Sequence, residues 1–167
     1  MRDGYAIIRD AIPEDAPTLA AVFAASWQGA YIGIIPDVDI RKMLEARKER
    51  YWRNFLEHSD GLLVIEADGD IAGYVTLGPA RTRGDFQGEI YELYIAPEYQ
   101  GIGLGERLFA AARHRLEESG KRGLIVWALT DNTGARLFYK GRGGEEKTSI
   151  KQKFTGKQLT KTAYAFD

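Results

Sequence analysis

The stretch Gln100-Gly101-Ile102-Gly103-Leu104-Gly105 decides the fold of this chain, because it sets three glycines at alternate positions between a predicted strand and a predicted helix. Glycine lacks a β-carbon, so a backbone with this spacing can turn tightly and point consecutive N–H groups outward. When a helix follows directly, those N–H groups and the helix dipole attract anions. The stretch therefore predicts an anion-binding loop.

Two common phosphate-binding motifs do not match the loop. A dinucleotide fingerprint would need a third glycine where Glu106 stands, and a Walker loop would need a Lys-Ser or Lys-Thr pair that is missing here. On its own, the loop is equally compatible with a tight turn that binds nothing. The neighbouring segments have to decide between these interpretations.

The segments around the loop form a strand–loop–helix–strand unit. Residues 89–95 predict a strand that Pro97 stops. After the loop, an apolar stripe at helical spacing ends at Gly120, a suitable left-handed cap. Residues 124–129 then read as a buried strand, which predicts a mixed α/β domain.

The rest of the chain supplies further helices and strands. Residues 5–9 predict a short strand, an apolar stripe over residues 19–27 predicts a helix, and residues 40–58 predict a second helix. A tight hairpin is predicted around Asp68-Gly69, since both positions tolerate positive φ. Residues 135–139 predict a short helix, and two β-rich segments close the chain.

Composition limits the function classes. A chain of 167 residues with 44% hydrophobic content fits one domain, so we expect a single domain over residues 1–167. With 23 basic and 24 acidic side chains the net charge is −1, which disfavours nucleic acid or an anionic membrane as the partner. The absence of cysteine excludes a thiol nucleophile and fits a cytoplasmic protein.

Two motifs together resemble one family. The loop resembles the Arg/Gln-x-x-Gly-x-Gly/Ala pyrophosphate loop of the GNAT acetyltransferase superfamily, preceded as in that family by a strand and proline turn, here Tyr94-Ile95-Ala96-Pro97. Asn132-Thr133-Gly134-Ala135-Arg136-Leu137-Phe138-Tyr139 resembles the family's Asn-x-x-Ala-x-x-Phe-Tyr segment. Two motifs in the family's order, with a helix and a strand between them, are more specific than either alone.

The resemblance implies a fold and an activity. The expected fold is a mostly antiparallel central sheet with a parallel strand pair at the cofactor site, flanked by helices. The expected activity is direct transfer of an acetyl group from acetyl-CoA to a primary amine of a small molecule or peptide, without a metal. The last strands of the chain often form an intersubunit contact in the family, so the resemblance is compatible with a homodimer.

The resemblance also implies which residues contact acetyl-CoA. The backbone of the strand before the loop would pair with the pantetheine amides like an added strand and orient the thioester carbonyl. The loop and the start of its helix would bind the diphosphate. The implied cofactor-binding residues are Leu93, Tyr94, Ile95, Gln100, Gly101, Ile102, Gly103, Leu104, Gly105, Glu106, Asn132 and Tyr139.

Acetyl transfer also needs an acid and a base. Tyr139 is the expected general acid for the leaving thiolate, because a phenol can donate a proton and recover it from solvent. An amine with a pKa of roughly 8 to 10.4 must lose a proton before attack. Glu89 and Glu92 are the candidate bases, on opposite faces of a regular strand. Glu89 is preferred because histone-type relatives carry their base there; solvated strand charges are the alternative.

Other side chains receive weaker assignments. Trp27 and Tyr31 are expected to form a wall of the acceptor cleft, with core packing as the alternative. His58 and His114 lack metal-ligand spacing and are expected at the surface. After Tyr139 the chain reads Lys140-Gly141-Arg142-Gly143-Gly144, where relatives usually carry Gly-Phe after a short spacer. The added glycines are expected to loosen the approach to the next strand, and they keep open the alternative of an acetyl-CoA sensor without turnover. A transferase of another acyl group is a further alternative, because nothing in the glycine loop reads the acyl chain.

Overall fold

Residues 6–167 are described by a computed structural model, so Tyr5, where the first predicted strand starts, lies outside the described residues. The strands are β1 (Ala6–Asp10), β2 (Leu62–Ala67), β3 (Asp70–Pro79), β4 (Gly88–Ile95), β5 (Leu124–Leu129), β6 (Glu145–Phe154) and β7 (Lys157–Phe166). The helices are α1 (Ala16–Tyr31), α2 (Asp37–Ala46), α3 (Glu49–His58), α4 (Leu104–Glu118) and α5 (Thr133–Gly141).

The seven strands form one sheet in the order β1-β2-β3-β4-β5-β7-β6. β4 and β5 run parallel, and the other neighbouring strands of the sheet run antiparallel, which confirms the predicted architecture. The parallel pairing joins only Gly88–Ile90 to Leu124–Val126. Beyond those three pairs β4 and β5 separate, so the last part of β4 keeps β3 as its partner and presents its other edge to a gap.

Helices cover both faces of the sheet. On one face α4 and α5 pack over an apolar core that includes Leu108, Phe109 and Tyr139. On the other face α1 and α3 enclose a second core around Phe23 and Trp52, which are fully buried. The gap between β4 and β5 therefore lies between two packed layers.

One predicted helix is wrong. The helix expected over residues 40–58 is divided into α2 and α3 at Arg47 and Lys48, where Lys48 adopts an extended conformation. The division lets the carbonyl of Arg47 accept a hydrogen bond from the indole Nε1 of the buried Trp52 at 2.9 Å. It also directs the guanidinium of Arg47 toward the sheet, where it pairs with Glu92.

The predicted turns are confirmed. Asp68 and Gly69, which join β2 and β3, have φ of 52° and 90°. Gly120 follows α4 with φ of 80°, and the next N–H, from Lys121, donates to the carbonyl of Leu116 at 3.1 Å, closing the helix end. Within residues 6–167 no helix combines the length and apolar composition needed to cross a bilayer.

Candidate active site

The glycine loop forms a tight turn whose backbone requires glycine at two positions. Gly101 and Gly103 have φ of 81° and 85°, a region that residues with side chains rarely adopt. Gly103 is the N-cap of α4 and offers no side chain to the first N–H groups of the helix. Those N–H groups have no partner within the helix, so they remain available to an anion.

A cavity of about 730 Å³ opens directly over this helix start. Its walls come from the free end of β4, the glycine loop, the start of α5 and one side of α1. Every cofactor-binding residue expected from the sequence lines the cavity except Ile102, which is exposed. Those lining residues are Leu93, Tyr94, Ile95, Gln100, Gly101, Gly103, Leu104, Gly105, Glu106, Asn132 and Tyr139.

The ends of the cavity are held by short-range hydrogen bonds. The side chain of Gln100 donates to the carbonyl of Ile95 at 2.9 Å, tying the loop to the end of β4. Asn132 caps α5, with its Oδ1 accepting from the N–H of Ala135 at 3.2 Å. Because only the oxygen of this amide is used in that bond, its NH2 group can still donate toward the cavity.

Tyr139 lies in the wall of the cavity and is buried. Its ring packs against Phe109 and Phe138, and within residues 6–167 no protein group forms a hydrogen bond with its hydroxyl. Burial, together with the nearby Tyr31, raises the pKa of Tyr139 above its usual range. Like an ordinary tyrosine, the phenol keeps its proton at neutral pH and can act as a proton donor.

A second cavity, of about 450 Å³, lies on the other side of β4. Trp27 and Tyr31 line it, and Tyr94 lines both cavities. The Tyr94 hydroxyl accepts from Trp27 Nε1 at 3.1 Å and lies 3.2 Å from the Tyr31 hydroxyl. Trp27 also packs at 5.4 Å against the ring of Phe23, so its two anticipated roles, cavity wall and core packing, coexist.

Glu92 is the carboxylate that reaches the second cavity. Arg47 holds it through both carboxylate oxygens, at 3.2 Å to Oε1 and 3.1 Å to Oε2, and the Tyr74 hydroxyl donates to Oε1 at 3.1 Å. A carboxylate has about four acceptor sites, so three such contacts leave capacity for one more donor, on the Oε2 side. Glu92 can therefore receive a hydrogen bond from an amine or a water.

Glu89 is placed differently. It is 1% exposed, lines neither cavity, and accepts three hydrogen bonds from Arg81, from the backbone N–H at 2.9 Å and from the guanidinium at 3.1 and 2.6 Å. The structure thus brings Glu92, not the preferred Glu89, to the cleft. The geometry gives Glu89 the task of fixing Arg81 and the loop before β4.

The expectation that Glu89 and Glu92 face opposite sides of the sheet is wrong, because β4 contains a bulge. Thr76 pairs with Glu92 and Leu77 with Ile90, which leaves the residue between them unpaired. The extra residue reverses the alternation, so both carboxylates point away from the core under α4. A β-bulge of this kind carries no clear signal in the sequence.

Two polar side chains in the larger cavity were not anticipated from the sequence. Ser26 Oγ and Arg142 Nε are buried without a hydrogen-bond partner among residues 6–167, and both residues line the cavity. Arg142 lies 3.8 Å above the ring of Phe138 and pairs with Glu106 at 3.3 Å beside the glycine loop. Buried polar atoms are normally satisfied, so these two fit a polar ligand that occupies the cavity.

The glycine-rich departure after Tyr139 has a structural explanation. A β-carbon at Gly144 would lie 2.7 Å from the ring of Phe166 and 2.8 Å from the carbonyl of Tyr139. The aromatic ring at this place therefore comes from β7, and Phe166 packs at 5.1 Å against Phe109. The expectation that the glycines loosen this region is wrong, because Phe166 fills the space.

The histidines lie apart from both cavities. His58 and His114 are exposed on α3 and α4, as predicted. Across the described part of the chain, no group of three or more His, Cys, Asp or Glu side chains has the geometry of a metal site.

Solved structures share this fold. An N-acetyltransferase named paia from Thermoplasma acidophilum, solved in complex with coenzyme A, superposes with a TM-score of 0.79 at 21% identity, covering 97% of this chain and 99% of that one. Salmonella typhimurium yncA, solved with its cofactor acetyl-CoA, gives a TM-score of 0.70 at 19% identity, covering 98% of this chain and 94% of the other.

Sequence comparison agrees with the fold. The N-acetyltransferase YuaI of Bacillus subtilis, itself uncharacterised, is 28% identical over 91% of this chain and 87% of its own length. The mycothiol acetyltransferase of Paenarthrobacter aurescens is 30% identical over 62% of this chain, which spans only 32% of that protein. The model of the acetyltransferase (GNAT) family matches residues 19–143. The chain is therefore a member of the GNAT family, an acyltransferase that uses acetyl-CoA.

Proposed function

We propose that this protein transfers an acetyl group from acetyl-CoA directly to a primary amine of a small molecule or peptide. The observation that carries the proposal is the junction of the two cavities. Tyr94 lines both, and it lies on the part of β4 beyond the pairing with β5. A cofactor on one side and an amine on the other would meet at this gap without an intermediate carrier.

The cofactor side supplies binding. We assign the diphosphate to the N–H groups at the start of α4 and the pantetheine to the free edge of β4 at Leu93–Ile95. Asn132 and the unpaired atoms of Ser26 and Arg142 supply further polar contacts. When bound, the thioester supplies the activated acetyl group.

The acceptor side supplies proton transfer. Glu92 is the proposed base, accepting the amine proton directly or through one water, since its Oε2 retains acceptor capacity. Tyr139 is the proposed acid, because its protonated phenol lies in the wall of the larger cavity, where it can donate to a leaving thiolate. Trp27 and Tyr31 form the wall that orients the amine.

Turnover tests the proposal. The protein is incubated with acetyl-CoA and a panel of primary amines while free thiol and acetylated amine are measured. We expect equal amounts of thiol and acetylated amine for at least one acceptor class. Tight acetyl-CoA binding with no thiol release on any acceptor would support the sensor instead. Faster turnover with propionyl-CoA or a longer acyl-CoA would support a different acyl group.

A further inference from the structure

Lys161 provides a positive charge in the acceptor cavity that the proposed chemistry does not use. It lies on β7, is half-buried, and lines the cavity together with Trp127, whose ring centre is 5.2 Å from the ammonium. Within residues 6–167 no carboxylate lies in ion-pair distance of this ammonium, whereas the other two cations of the cavity wall are paired. Lys161 therefore has no counterion in the described part of the chain.

The charges of the cavity wall show the same surplus. Of the described residues, three cations line it, Arg47, Arg81 and Lys161, against one carboxylate, Glu92. Arg47 is engaged by Glu92, and Arg81 by Glu89 from behind the wall. One positive charge is left over in a partly desolvated, aromatic-lined space, where electrostatic interactions are stronger than in water.

We infer, on the basis of the proposed function, that the acceptor is a small amine that also carries an anionic group, a carboxylate or a phosphate. The anionic group would bind Lys161, and the amine would lie toward Glu92 and Tyr94. A volume of about 450 Å³ suits a small molecule. The rings of Trp127 and Tyr91 would contact the part of the acceptor between its two charged ends.

The ionic contact would orient the acceptor. With its anionic group paired to Lys161, the acceptor would be held with its amine toward Glu92. Uncharged amines would gain neither orientation nor an ionic contact.

The test compares acceptors matched in shape. Phenylalanine, its aminophosphonate analogue and phenylalaninol are assayed with the wild-type protein, and ω-amino acids are assayed beside the corresponding amino alcohols. We expect kcat/KM to favour the anionic members by about tenfold or more, the effect of one charge-assisted contact. The carboxylate and phosphonate arms show which anion is preferred.

Variants place the effect on Lys161. Lys161→Gln should remove the preference, lowering kcat/KM for anionic acceptors about tenfold and changing it less than about twofold for neutral ones. Lys161→Arg should keep the preference. Lys157→Gln is the control, because Lys157 is exposed on the same strand and lines neither cavity.

Two results would overturn the inference while acetyl transfer stands: wild-type protein that prefers the neutral members, or Lys161→Gln that slows both kinds of acceptor equally. Absence of thiol release from every amine would instead refute the proposed function. In that case thermal stabilisation by the anionic amines still tests the anion site: stabilisation that Lys161→Gln abolishes supports the site, and no stabilisation contradicts it.

Discussion

The two sides of the cleft are constructed in different ways. On the proposed cofactor side, two stretches, residues 93–106 and 132–139, form most of the wall, and α1 and Arg142 complete it. The acceptor side uses side chains from at least five helices and strands, including Trp27 of α1, Tyr51 of α3 and Lys161 of β7. Backbone N–H groups are positioned by glycine spacing within one segment, whereas the acceptor wall depends on how distant segments pack. Substitutions on the two sides should consequently have different kinetic signatures.

The largest loss of activity should come from a substitution at the junction between the two sides. Tyr139→Phe removes only the hydroxyl, so we expect kcat to fall about hundredfold to thousandfold, the range of a lost general acid, with little change in the affinity for acetyl-CoA. Tyr164→Phe is the control, since Tyr164 is buried 6.0 Å from the Tyr139 ring and lines neither cavity. Full activity of Tyr139→Phe would remove the acid assignment.

The pH profile of the wild-type protein sharpens this assignment. Because the pKa of Tyr139 is raised by burial, its proton is retained above the usual tyrosine pKa of about 10. The rate should therefore rise with pH as the amine loses its proton and show no falling limb below about pH 10. A falling limb near neutrality that disappears in Tyr139→Phe would contradict the raised pKa.

The glycine loop should affect only the cofactor side. Gly103→Val forces a β-branched residue into positive φ at the start of α4, and we expect acetyl-CoA affinity, measured by calorimetry, to fall about hundredfold. Gly120→Val imposes the same backbone strain at the far end of α4, with open space around both glycines. Equal losses of affinity in the two variants would show that strain alone is responsible.

The two glutamates should separate activity from stability. Glu92→Gln should lower kcat/KM for the amine about tenfold or more with acetyl-CoA affinity unchanged. Glu89→Gln should leave kcat/KM within about twofold but lower the free energy of unfolding by about 1–2 kcal/mol, because the buried carboxylate accepts three hydrogen bonds from Arg81. Steady-state kinetics measures the first effect and urea denaturation the second. A large loss of kcat/KM in Glu89→Gln with little loss in Glu92→Gln would restore Glu89 as the base.

The smallest effect concerns alkaline stability. Burial raises the pKa of Tyr74, Tyr94 and Tyr139. Above about pH 10 the unfolded chain loses these protons while the folded chain keeps them, so stability is full below that pH and declines above it. Each tyrosine should contribute less than about 1 kcal/mol at pH 10.5. The free energy of unfolding is measured by urea denaturation at neutral pH and at about pH 10.5. It should fall less between these two pH values in Tyr139→Phe than in the wild-type protein, and an equal fall would contradict the raised pKa.

Features set by local sequence could be predicted, whereas features set by the packing of distant segments could not. The tight turn of the loop was predictable from its local glycine spacing, whereas the parallel strand pair and the Asn132–Tyr139 segment were predicted through the resemblance to the GNAT family. The bulge in β4 and the division between α2 and α3 were not, since both depend on packing against distant residues such as Trp52. The counterions of Glu89 and Glu92, which distinguish their roles, come from Arg81 and Arg47.

Direct transfer across the gap at Tyr94 is the central claim, and a single-turnover experiment tests it most directly. The protein is mixed with acetyl-CoA alone, and then with a competent amine, while free thiol and the mass of the intact chain are followed. We predict no thiol release above background and no acetylated chain until the amine is added, then release of thiol with acetylated amine. A burst of thiol with an acetylated chain before amine addition would contradict the account.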